Sequence, residues 1–178
     1  MSAGLPAPDG GEFVRIVDVR LLPAGVQDVT ANATECRRLA GRFGLTAITR
    51  LVATVTFANT GDAITVTGRL RAEVIQACAI SAEDFDVVID EPVNLRFATP
   101  GDSTPADTEI ELTADDCDEI AFDGLSFDLG EALAQTLALA IDPFAEGPEA
   151  DRARAEHKLA GAAGNGAFAA LGALKIGE

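Results

Sequence analysis

The stretch "ITRLVATVTFANTGDAITVTGRLRAEVIQAC", Ile48 to Cys78, decides the fold. Leu51, Ala53, Val55 and Phe57 share one parity, and after a turn at Asn59 to Asp62 so do Ile64, Val66, Leu70, Ala72 and Val74. A period of two sends successive side chains to opposite faces, so the pattern predicts a long antiparallel hairpin with one buried face. Thr65, Thr67, Arg69, Arg71 and Glu73 take the other face. Further on, "FDVVIDEPVNLRF" keeps Phe85, Val87, Ile89, Val93, Leu95 and Phe97 in phase, and Pro92 marks it as an edge strand or a bent one.

Upstream, "EFVRIVDVRLLPAG" reads as a strand closed by a turn at Pro23 to Gly25, and "VQDVT" as a short second strand. In "NATECRRLAGRFG" the period changes: Ala33, Cys36, Leu39, Ala40 and Phe43 recur at helical spacing. Asn32 and Glu35 have the spacing of a capping box, and Gly44 stands where a helix-ending glycine belongs. Arg37, Arg38 and Arg42 fall off the apolar stripe. Downstream, "DLGEALAQTLALAIDPF" has a second D-x-x-E cap at Asp128 and Glu131, a stripe of Leu129, Leu133, Leu137 and Ile141, and a stop at Pro143.

These elements predict one α+β domain over residues 12–144, a mainly antiparallel β-sheet with two main helices. Residues 1–11 read as a flexible N-terminus, 98–123 as a mobile acidic insertion with one weak strand-like piece, "TEIELT", and 145–178 as a charged, partly ordered C-terminal tail. The 178 residues suffice for one core, and with neither Trp nor Tyr that core must be aliphatic plus Phe.

The net charge of −16 is unevenly placed. Between Arg96 and Arg152 there is no Lys or Arg but fifteen Asp and Glu, while residues 1–96 hold nine Arg against twelve acids, six of the nine between Arg37 and Arg71. A phosphate backbone repels such a chain overall, so nucleic-acid contact requires a local basic face. The opening "MSAGLPAPDGGEF" does not read as a signal peptide, and no run approaches the roughly 20 apolar residues that span a bilayer. Three distant cysteines, Cys36, Cys78 and Cys117, make no even disulfide framework and suit a reducing compartment. The expectation is a cytoplasmic protein without membrane contact.

Taken in order, "EFVRIVDV", "LPAG", "ECRRLAGRFGLTAI", "GRLRAEVIQAC", "IDEPVNLRF", "DLGEALAQTLALAIDPF" and "AFAALGALK" resemble the YceD family, chiefly its alphaproteobacterial branch, from about Glu12 to Lys175. The resemblance implies a cytoplasmic bacterial factor linked to accumulation of the large-subunit (23S) ribosomal RNA, hence to ribosome assembly, with no established catalytic activity. Many relatives carry a Cys-x-x-Cys pair where this chain has Cys78-Ala-Ile-Ser81, so the second thiol is missing here. Relatives of that branch usually follow "LALDP" with an aromatic residue and a Pro-Arg step, whereas this chain reads Asp142-Pro143-Phe144-Ala145-Glu146.

The residues themselves call for no cofactor and no metal. A structural zinc site needs about four N or S ligands, and near Cys78 there is one thiol and a serine. Cys78 keeps the parity of the hairpin's apolar face, and Cys36 lies on its helix stripe, so both read as small core residues. His157 is alone in a charged stretch without a nucleophile context, "GAAGNGAF" lacks the Lys-Ser/Thr of a phosphate loop, and "DDCDE" lacks the pattern of a calcium loop. The chain reads as a non-enzyme with no small-molecule substrate. Two surfaces remain. Arg37, Arg38 and Arg42 on the helix, together with Arg69 and Arg71 on the strand, form a candidate basic patch for the phosphates of large-subunit rRNA or its precursor; the alternative is that they pair with the chain's own carboxylates. Asp115, Asp116, Asp118 and Glu119 form a candidate docking surface for a basic ribosomal protein, as an acidic chaperone would.

Overall fold

A computed structural model of the chain describes residues 11–61, 63–99, 118–122 and 124–157. The expectations for the N-terminus, for "TEIELT", Asp115, Asp116, Cys117 and the side chain of Asp118, and for the end of the chain lie outside the described residues. By contacts the chain divides into two compact units, Met1–Gln76 with Asp86–Asp142, and Ala77–Phe85 with Pro143–Glu178. The sequence suggested a boundary near residue 144; the contacts also assign the turn after the long hairpin's second strand to the second unit.

The first unit is built on a five-stranded sheet in the order β2-β3-β4-β5-β6: β2 (Gln27–Thr30), β3 (Ala47–Asn59), β4 (Ala63–Ala77), β5 (Asp84–Ala98) and β6 (Asp118–Ala121). β3 and β4 are the predicted antiparallel hairpin, with Leu51 opposite Ala72, Ala53 opposite Leu70 and Thr54 opposite Arg69. Alternation decides burial as expected: Leu51, Ala53, Val55, Val66, Leu70, Ala72 and Val74 are all buried. A separate two-stranded antiparallel sheet pairs β1 (Ile16–Asp18) with β7 (Ser126–Asp128).

Helix α1 (Ala33–Phe43) carries both predicted caps. Asn32 Oδ1 accepts the N–H groups of Thr34 and Glu35 at 2.9 and 3.0 Å, Glu35 Oε2 accepts the N–H of Asn32 at 2.8 Å, and Gly44 takes φ 68°, the left-handed conformation that ends helices and that glycine adopts without a Cβ penalty. Helix α2 (Leu129–Ala140) begins at Asp128, which accepts from Gly130 and Glu131. Cys36, Leu39 and Ala40 of α1 and Leu129, Leu133 and Leu137 of α2 join the apolar face of the sheet in one buried cluster. Phe97 of β5 stacks on Phe127 of β7 with ring centroids 3.9 Å apart, tying the two sheets together.

The α+β class, mainly antiparallel with two main helices, is what the structure has, with three departures. The first strand is only Ile16–Asp18, because a 3₁₀ turn at Val19–Leu21 follows it, its start capped by the Asp18 carboxylate on the N–H of Arg20. β6, inside the segment read as a loop, pairs in parallel with β5, Leu95 opposite Asp118. This places β5 inside the sheet order; Pro92 is nevertheless tolerated because β6 meets β5 only from Leu95 onward. The second unit holds a third, shorter helix, α3 (Ala150–His157).

Candidate nucleic-acid interface

The arginines were the sequence's main candidates, and all eleven fall among the described residues. Alternation along β4 sends Arg69 and Arg71 away from the helices, on the open face of the sheet. Both reach the same acceptor, Asp90 of β5: Arg69 through Nε to Oδ1, and Arg71 through Nε to Oδ2 at 3.2 Å. Arg69's hydrogen bond holds the Asp90 carboxyl below its ordinary value. Nearby on the same face, Arg50 pairs with Glu73 at 3.5 Å and Thr54 donates to Asp28 at 3.0 Å. The basic strand face of the sequence is thus interleaved with carboxylates.

Helix α1 packs on the opposite, apolar face, so the five candidate arginines do not form one patch. Arg42 turns toward α2 and makes a two-pronged pair with Glu131 at 2.7 and 2.8 Å, with Glu12 at 3.1 Å on the same guanidinium. Glu131 therefore does not reach back to its own helix start as the D-x-x-E spacing suggested. Arg37 and Arg38 differ. Arg37 bonds within its own helix, to the carbonyl of Ala33 and the hydroxyl of Thr34, and Arg38 donates to the carbonyl of Gly11. Nine of the eleven arginines have a carboxylate within reach. Among the described residues Arg37 and Arg38 have none, and both are exposed.

The buried counterpart was not anticipated. Arg15 and Glu35 have side chains only 4% and 7% exposed and form a double hydrogen bond at 2.7 and 3.0 Å, while Arg15 also donates to the carbonyls of Val14 and Thr30. Burial alone would raise the Glu35 carboxyl, but the hydrogen bonds from Arg15 and from the Asn32 N–H, with the charges of Arg15 and Arg38, outweigh it and hold the group below its ordinary value. The sequence did carry a signal: Arg15 has the parity of Phe13 and Val17, both buried, and an arginine in the apolar phase of a strand needs an internal partner.

Cys78 is buried, yet it stands outside the apolar cluster of the first unit. β4 ends at Ala77, yet burial still alternates through Gln76, Ala77 and Cys78. Within the second unit the chain turns around the sulfur: Sγ accepts the N–H groups of Ile80 and Ser81, each at 3.4 Å, and Ala82 takes φ 58°. The Ser81 hydroxyl, helped by the N–H groups of Ser81, Gly147 and Ile80, pulls the thiol down to about 7. Cys36, buried in the helix stripe beside Glu35, is pushed up. Among the described residues no three His, Cys, Asp or Glu side chains gather as a metal would require. Of the candidate acidic surface, Glu119 is described and pairs with Arg96 at 3.3 Å.

Residues 66–175 match the family described as large ribosomal RNA subunit accumulation protein YceD. The chain belongs to the YceD family. The matched region runs from β4 through both of the later helices, so α1 and its arginines precede it. No curated protein and no solved structure matches the chain. The family description links this chain to accumulation of large-subunit rRNA. No helix among the described residues is long and apolar enough to cross a membrane.

Proposed function

We propose that the chain is a non-catalytic cytoplasmic factor in large ribosomal subunit biogenesis, which supports 23S rRNA accumulation by touching that RNA or its precursor directly. Membership of the YceD family carries the reading. One feature supports direct contact: a chain of charge −16 needs a local basic face to meet phosphate, and Arg37 and Arg38 are exposed and make no ion pair among the described residues.

A second reading follows from the charge distribution. The segment between Arg96 and Arg152, with fifteen acids and no basic residue, suits a basic ribosomal protein held until it meets RNA. One experiment separates the two. The tagged chain is recovered from extract with and without ribonuclease treatment. Direct RNA contact predicts large-subunit rRNA in the untreated sample and loss of all ribosomal proteins after treatment. Retention of one basic ribosomal protein after treatment, with no rRNA bound by the purified chain, overturns the first reading in favour of the second.

A further inference from the structure

The geometry points to the outward face of α1, at Arg37, Arg38 and Gly41, as the place where this chain receives the phosphodiester backbone of RNA. The inference rests on the rRNA role proposed above and gives it a site. Three observations converge there. The first is charge: neither guanidinium makes an ion pair with a described carboxylate, since the charge that acts on Arg38, that of Glu35, is buried and gripped by Arg15, whereas Arg42, one residue beyond Gly41, is already held by Glu131 and Glu12. A guanidinium has five N–H donors, and Arg37 spends them only on the Ala33 carbonyl and the Thr34 hydroxyl, leaving a fork suited to phosphate.

The second is Gly41. It lies three and four residues after Arg38 and Arg37, hence beside both on the helix surface. A glycine inside a helix is less stable than alanine, because the unfolded chain gains freedom and no side chain packs. Nothing within the described protein asks for it: a Cβ at this position would meet no atom within 4 Å, and the backbone is not in the left-handed region. What a missing side chain provides here is close approach from outside.

The third is relief. Gly41 and Arg37 line a groove of about 290 Å³ with Ala40, Leu45, Thr46 and Ile48, running between α1 and the start of β3. A methyl group at 41 would stand at its wall. The exposed side of α1 offers no aromatic ring for base stacking, since Phe43 is half-buried with Arg42 lying over it at 5.6 Å. The contact is therefore to phosphate and ribose, and it carries little sequence preference.

The test titrates the full chain against a fluorescein-labelled transcript of large-subunit rRNA fragments at several salt concentrations, with melting temperature measured in parallel. Arg37→Ala with Arg38→Ala should weaken binding at least several-fold and lower the slope of log affinity against log salt by about 2, one per lost phosphate contact. Gly41→Ala should raise the melting temperature and still weaken binding several-fold, a combination that a purely structural glycine does not give. Binding by all variants equal to that of the unaltered chain overturns the site while leaving the rRNA role intact. No binding by the unaltered chain overturns direct contact as well. Loss in the double variant of a ribonuclease-resistant acidic protein, with RNA affinity unchanged, reassigns the surface to that protein and also overturns the inference.

Discussion

The inner and outer sides of α1 hold charges that meet opposite fates. On the inner side Glu35 closes the helix start and grips Arg15, both side chains under 10% exposed, with the guanidinium's remaining donors on two carbonyls. Toward solvent, two and three residues later, Arg37 and Arg38 hydrogen-bond only to carbonyl and hydroxyl oxygens, though the charge of Arg38 is felt at Glu35. The same helix thus contributes Glu35 to a buried ion pair and carries two exposed cations that make no ion pair among the described residues. Burial sets the difference. A buried charge must be satisfied within the molecule, whereas an exposed one can be kept for a partner.

The contrast can be broken most forcefully at Glu35. Glu35→Ala strands the buried Arg15 guanidinium and removes half of the reciprocal cap, so urea unfolding should show a loss of about 3–5 kcal/mol; a loss below about 1 kcal/mol would mean that Arg15 is not held as described. The pair should also be visible in acid. The Glu35 carboxyl lies below its ordinary value of 4.5 in the folded state. Its contribution is therefore complete above pH 4.5 and drains away as the pH falls through the folded value. The gap in urea midpoint between the unaltered chain and Glu35→Gln should be constant near neutrality and begin to close below pH 4.5. A gap that stays constant to pH 3 would detach the stability from the carboxylate's charge.

Arg42 stands between the two extremes. It joins α1 to α2 through Glu131, but its side chain is 34% exposed and that of Glu131 43%. Solvent screening limits such a pair, so Arg42→Ala should cost only about 0.2–1 kcal/mol by the same unfolding measurement. At the far end, Arg37→Ala and Arg38→Ala should each change stability by less than about 0.5 kcal/mol. A larger loss at either position would give these arginines a structural task and blur the comparison.

The parts of this molecule that were legible in the sequence are the ones whose causes are local. Alternation in β3 and β4 and the Asn32, Glu35 and Gly44 caps of α1 depend on neighbours a few residues away, and they read correctly. β6 was missed because four residues in an acidic segment carry no periodicity, and the strand is identified only by its parallel partner in β5. Glu131 stands in the first turn of α2 with its N–H capped by Asp128, as read, but its carboxylate is taken by Arg42, 89 residues distant in sequence. Cys78 is buried as its parity suggested, but β4 ends one residue earlier and the residue stands outside the large apolar cluster. The candidate site was half legible. Composition and helical spacing found Arg37 and Arg38, but only the ion pairs of the other nine arginines set these two apart. Gly41 became conspicuous only once the space around it was known to be open.

The most direct test of the account is complementation in cells depleted of this chain, with the ratio of large- to small-subunit rRNA as the readout. The account predicts that the unaltered chain restores the ratio, and that the Arg37→Ala, Arg38→Ala double variant, folded and equally abundant, does not. Full restoration by the double variant would contradict it.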